Sequence, residues 1–343
     1  MDGAGIPWAF KSVETGLTAA QNTVALYDRT HWGCFRVSDA DRLRFLHNQT
    51  TNRFQTRQPG EGCETVFVTS TARTLDLATA YILEDSVLVL VSPERRQSLL
   101  DWLDRYIFPF DQVKLQDVTQ TTAIFHLIGP QSEGLLGQLG LEPSPRLAHS
   151  HHVVTHPIVT GGYPLRIAQG CGLGTLGYTL MVDRVQGAAL WQQLHEAGAE
   201  PIGTQAWDVL RIHQGRPQVD RELTEDYNPL ETGLWQTISF DKGCYIGQET
   251  IARLNTYNGV KQKLWGICLE DWVEPGTAIT LDGNKVGILT SVCCLPGGIQ
   301  GLAYIRTKAG GAGLTVQLGA VSGQILAVPF VTHPDLSSNS ADR

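Results

Sequence analysis

The chain has 343 residues, 26 of them basic and 34 acidic, for a net charge of −8; charged residues make up 17% and apolar ones 42%. That length suits two or three domains with a sizeable core, and that balance excludes a solvated disordered chain. The acidic surplus argues against direct nucleic-acid binding, which needs Lys and Arg to displace counterions.

At the start, Met1–Lys11 lacks the charged head and apolar stretch of a secretory signal, and the following residues up to the low twenties read as a surface segment without periodicity. Ser38-Asp39-Ala40-Asp41 fits a capping box opening a short helix that carries Leu43 and Leu46. Strand-like runs follow at 64–70, 78–83 and 87–91, the last far too short to span a bilayer. Residues 95–106 align Leu99, Leu103 and Tyr106 on one helical face. The pattern then restarts with a strand at 123–128, a helix at 131–139, strands at 165–169 and 178–182, and a helix at 185–197. Strands and helices in this irregular order predict an α+β fold and not a doubly wound sheet.

From Lys263 the helical signals stop. Five or six short strands, separated by Pro275-Gly276, the hairpin signal Asp282-Gly283 and Pro296-Gly297-Gly298, predict a small β-barrel or sandwich. The expected domains are therefore 1–258, made of two partly interleaved α+β lobes, and the barrel at 259–333; a polar tail at 334–343 should be disordered.

Seven scattered cysteines with no C-x-x-C argue against a disulfide framework and against a metal site. They point to a soluble protein of a reducing compartment: the cytoplasm, or an organelle stroma or matrix if a transit peptide has been removed. No membrane association is expected, and the chain should act as a monomer. Gly172, Gly174 and Gly177 fit G-x-G-x-x-G but lead into a strand, so they read as a hairpin and not as a nucleotide site. The run His149, His151, His152 and His156 reads as a solvated loop.

One segment carries more chemistry: Lys242-Gly243-Cys244-Tyr245-Ile246-Gly247-Gln248-Glu249. Gly243 and Gly247 allow positive φ and close backbone approach. Lys242 and a helix starting at Glu249 would favour the thiolate of Cys244. The segment fits either a functional loop or a tight turn around a buried thiol.

The same octet resembles the K-G-C-[FY]-x-G-Q-E signature of the YgfZ family of folate-binding proteins, which is related to the T-protein (aminomethyltransferase) of the glycine cleavage system. Asn228–Leu234, with Glu231, is similar to the segment preceding that signature, and Arg211 with Gly215 to the helix end before it. Val37–Asn52 resembles the opening helix of the T-protein fold, so the similarity spans about residues 24 to 330. The resemblance implies a three-lobed T-protein-like fold with a C-terminal small β-barrel and a central cavity for tetrahydrofolate or a derivative. It implies cofactor contacts from Gly243, Tyr245, Gly247, Gln248, Glu249, Glu231 and Arg211, and chemistry at Cys244, Lys242 and Asp76. The implied role is an accessory one: supporting iron–sulfur cluster assembly or repair in client enzymes, tRNA-modifying ones included, through contact with client or assembly proteins. The alternative is tetrahydrofolate-dependent aminomethyl transfer. Two departures weaken that alternative: Gly170–Thr179 holds no carboxylate where the T-protein has one, and Asp76, between Leu75 and Leu77, stands where it has a pair.

Overall fold

The computed structural model describes residues 7–143, 147–157, 159 and 161–333; the tail expected to be disordered lies outside the described residues. The chain runs α1 (Val13–Asn22), β1 (Ala25–Asp28), β2 (Gly33–Ser38), α2 (Arg42–Gln49), β3 (Gly62–Val68), β4 (Thr74–Ile82), β5 (Ser86–Val91), α3 (Arg96–Asp104) and β6 (Lys114–Asp117). It continues with β7 (Thr122–Ile128), α4 (Ser132–Gln138), β8 (His151–Val154), β9 (Leu165–Gln169), β10 (Gly177–Asp183), α5 (Gly187–Glu196), β11 (Glu200–Ile202) and α6 (Thr204–Gln214). After a long irregular stretch come α7 (Gln248–Thr256) and the strands β12 (Gln262–Leu269), β13 (Ala278–Leu281), β14 (Asn284–Leu295), β15 (Gly298–Arg306), β16 (Thr315–Leu318) and β17 (Val321–Leu326).

Contacts divide this chain into two compact units. One is built from the chain up to Thr65 with Leu77–Leu210, the other from Val66–Asp76 with the chain from Arg211 onward. The barrel starts at Gln262, where the composition changes, but the unit that holds it also takes in residues 211–261 and the tip of the β3–β4 hairpin.

The first unit contains two sheets, ordered β11-β1-β7-β10-β9-β8 and β3-β4-β5-β2-β6. Alternation along β10 explains the layering: Tyr178, Leu180 and Val182 join Leu135, Leu136, Leu190 and Leu194 of the covering helices. Met181, pointing the other way, meets Ile124 and Ala168 from its own sheet and Cys34, Tyr81, Leu88 and Leu90 from the other. Burial pushes the Cys34 thiol up to about 12, so it stays protonated in this layer.

In the second unit, β12-β15-β14-β13-β16-β17 close into a six-stranded barrel filled by Ile267, Ile279, Leu289, Ile305, Val316 and Ile325. The Asp282-Gly283 signal is realised as the β13–β14 turn, with φ of 50° and 78° at the two residues.

Three expectations from the sequence fail locally. The opening segment is helical over Val13–Asn22, capped by the Ser12 side chain accepting from the Thr15 N–H. The capping box does not form: Ser38 stays in β2, and Asp41 accepts instead from the Gln112 N–H and pairs with Arg44. The histidine run is no solvated loop, because His151 lies on β8 and is buried.

Burial holds His151 and His333 neutral, each with its pKa lowered from 6.5 to about 4; for His151 the neighbouring Arg166 guanidinium adds to this, and for His333 Lys263 does. The unfolded chain therefore binds more protons between those values. Stability is full above pH 6.5 and falls as the pH drops toward 4, by roughly 1–3 kcal/mol per histidine. Urea unfolding at a series of pH values should show this decline, and His333→Gln should flatten it.

Candidate functional site

The octet belongs to the second unit and divides into a loop, 242–247, and the first turn of α7. Its inward side chains anchor it. Tyr245 and Ile251 join a core of Ala72, Leu230, Ile238 and Val260, with Trp235 and Leu254 packed at its edge. Lys242 is also buried, its ammonium 4.4 Å from the centroid of the Tyr245 ring, a cation–π seat. Burial pushes the Tyr245 phenol up to about 12, so the ring stays neutral beneath that charge.

Two residues fix the backbone between these anchors. Gly247, the N-cap of α7, has φ 81°, and a Cβ there would lie 2.8 Å from the Thr69 carbonyl oxygen and 3.1 Å from the Ala72 Cα. The side-chain amide of Gln248 donates to the carbonyls of Lys242, at 3.2 Å, and Gly243, at 3.4 Å. With Lys242 and Tyr245 turned in, Gly243 and Cys244 are left exposed, as is Glu249 on the first turn of the helix. The thiol is thus presented outward from a loop held at both ends, so the buried-thiol alternative does not hold. Gly247→Ala combines a left-handed residue with a backbone clash and should cost roughly 2–4 kcal/mol in urea unfolding.

The hairpin tip that Gly247 touches is itself tied down. The Thr74 N–H donates to the Tyr227 carbonyl at 2.9 Å, the Thr74 hydroxyl to the Thr224 carbonyl at 2.7 Å, and Arg73 Nη1 to the Asp226 carbonyl at 2.9 Å. Asp76, two residues further along β4, is fully buried.

The remaining residues singled out in the sequence support this framework. Glu231 is buried, takes the Asn228 N–H on Oε2 at 3.2 Å, and carries a pKa raised by desolvation. Its carbonyl accepts from the Leu264 N–H at 2.9 Å, tying the octet's core to the first barrel strand. Arg211 is 2% exposed and pairs with Glu222, itself fully buried, at 3.1 Å; its Nη2 donates to the Ser291 hydroxyl at 3.0 Å, and that hydroxyl donates to Glu222 Oε1 at 2.6 Å. The polar groups implied as cofactor contacts at Arg211, Glu231 and Gln248 are thus engaged within the unit. Nothing in the sequence marks Glu222 and Ser291 as partners of Arg211, because no spacing links the three. Among the described residues, no group of three or more His, Cys, Asp or Glu is arranged to hold a metal ion, and no helix is long and apolar enough to cross a membrane.

Comparison with known proteins places this framework. Residues 3–242 match the GCVT N-terminal domain family. A chloroplastic transferase-like protein of Arabidopsis thaliana is 42% identical over 345 residues, covering 98% of this chain and 78% of its own length. An aminomethyltransferase of Rubrobacter xylanophilus is 28% identical over 334 residues, covering 95% of this chain and 88% of its own. The crystal structure of the glycine cleavage system aminomethyltransferase T from Bartonella henselae superposes with a TM-score of 0.83 at 18% identity, over 97% of this chain and 94% of that one. The fold is therefore the aminomethyltransferase fold, mixed α and β with a closed C-terminal barrel, as the sequence resemblance implied. With the domain match running through both sheets and α6 to the first residue of the octet, the chain belongs to the GCVT family of aminomethyltransferase-like proteins.

Proposed function

We propose that this protein is a tetrahydrofolate-binding accessory factor of the YgfZ type, which supports iron–sulfur cluster assembly or repair in client enzymes through Cys244. The observation that carries the reading is the loop itself: Lys242, Tyr245, Gly247 and Gln248 all serve to hold a backbone that presents one thiol outward. A structural turn has no use for such a residue. An exposed thiol on a rigid loop is suited to contact with another protein, here a client or assembly factor. Its place of action is an organelle stroma or the cytoplasm, and it acts as a monomer.

Tetrahydrofolate is the ligand the family implies. Of the residues singled out, Asp76 is the one matched to the family's acidic positions: a carboxylate held in the interior is the kind of group that accepts from the N–H edge of a pterin. When bound, the folate would supply one-carbon carrier chemistry. Asp76 would orient the ring.

The aminomethyltransferase alternative draws on the 28% identity to the Rubrobacter xylanophilus enzyme. Against it stands the absence of any carboxylate in Gly170–Thr179. Two measurements test the proposal. Tetrahydrofolate should raise the melting temperature, because a ligand of the native state adds stability in proportion to ln(1 + [L]/Kd). Cells lacking the protein should regain iron–sulfur enzyme activity when it is restored. No shift at millimolar tetrahydrofolate would overturn the folate reading, and tetrahydrofolate-dependent turnover of an aminomethyl donor would favour the alternative.

A further inference from the structure

In the first unit, a cleft of about 380 Å³ opens where the ends of β1 and β7 meet α5. Three aromatic side chains line it. Phe10 stacks on Trp191 with ring centroids 5.8 Å apart and planes at 28°, and Phe125 of β7 meets the same indole at 5.4 Å. Helix α5 starts at Gly187 directly against Ala123, an approach that a side chain at 187 would block, since its Cβ would lie 2.8 Å from that of Ala123. The next residue, Ala188, is exposed and lines the cleft.

Two opposite charges share this cleft, Asp28 and Arg184. Asp28 stands directly across from Phe125 in the β1–β7 register, and its Oδ1 accepts the Thr30 N–H at 2.9 Å. Among the described residues, neither the Asp28 carboxylate nor the Arg184 guanidinium takes part in an ion pair.

The cleft's volume lies in the range that takes a small molecule. The three aromatic side chains favour a planar ring, which gains offset or edge contacts with Phe10, Phe125 and Trp191. The charges narrow the class further. A ligand carrying only negative charge meets Arg184 but is repelled by Asp28, and one carrying only positive charge meets the reverse. Both groups are satisfied together only by a ligand with one charge of each sign. The geometry points to a binding site for a small aromatic zwitterion, its ring against Phe10, Phe125 and Trp191, its cationic group donating to Asp28 and its anionic group accepting from Arg184.

Calorimetric titration of the full chain tests this, using phenylalanine and 4-(aminomethyl)benzoate as zwitterions, with adjacent and opposed charges respectively, and benzylamine and benzoate as controls of single charge. At least one zwitterion should bind about tenfold more tightly than both controls. Arg184→Ala, at an exposed position, should reduce it to the level of benzylamine. Ala188→Phe, which fills the cleft from the helix surface, should abolish binding of every probe. Zwitterions that bind no better than the controls would overturn the site, as would the absence of any binding up to about 10 mM. Binding that survives Ala188→Phe in a folded protein would do the same; if that variant does not fold, Arg184→Ala decides alone. Tetrahydrofolate affinity should be unchanged in both variants, and displacement of the zwitterion by tetrahydrofolate would overturn a separate site.

Discussion

Glu222→Gln should lower the stability of this protein by about 3–5 kcal/mol, more than any other single polar substitution described above. Both partners of the Arg211–Glu222 pair are almost wholly removed from water. Glu222 uses Oε2 for Arg211 and the Gln218 N–H and Oε1 for the Ser291 hydroxyl, while Arg211 returns to Ser291 through Nη2. Each of these contacts has a charged or hydroxyl partner. Removing the carboxylate charge takes the guanidinium's ion-pair partner away in a dry interior, where its desolvation is then offset less. Urea unfolding measures the loss. The double variant Arg211→Met with Glu222→Leu should recover most of it, since apolar residues of similar volume replace a buried pair at little net cost. That recovery also separates two roles for Arg211. If it serves only the pair, the double variant binds tetrahydrofolate like the wild type; if it contacts the ligand, the double variant folds but binds more weakly.

The barrel and the main strands were legible in the sequence because their signals are local. Alternation in Tyr178–Val182 and the Asp282-Gly283 turn depend on period and backbone preference, which a window of ten residues contains. The failures involve distant partners. Asp41 looked like half of a capping box, but Gln112 and Arg44 claim its carboxylate. His151 is buried by partners remote in sequence, the Tyr81 ring 5.4 Å away and Arg166 of the neighbouring strand β9. Residues 66–76 join a unit whose other members begin at Arg211, a long-range association that no local pattern signals. For the octet, the glycine spacing announced a tight loop, yet it could not say which side chains turn inward. That depends on Ala72, Leu230 and Val260, from three separate parts of the chain.

Cys244→Ala should leave stability within about 0.5 kcal/mol of the wild type, because an exposed loop thiol fills no core. The same substitution should abolish support of iron–sulfur enzymes in complementation. Neither half suffices alone, since lost function without retained folding would only report a damaged loop. A chemical test stands beside the genetic one. Cys34, Cys63, Cys171 and Cys293 are buried, so at neutral pH iodoacetamide has three exposed thiols to choose from: Cys244, Cys268 and Cys294. If the loop exists to present Cys244, that thiol alkylates first, and Lys242→Met, which removes the ammonium seated on the Tyr245 ring, changes the rate at Cys244 without changing the other two. Peptide mapping by mass spectrometry gives the three rates in one experiment. Gln248→Leu, which removes the amide clamp on the Lys242 and Gly243 carbonyls, should likewise alter the rate at Cys244 alone. Equal rates at all three thiols, together with a Cys244→Ala protein that still restores iron–sulfur enzymes, would reduce the octet to a structural turn and withdraw Cys244 from the proposed function.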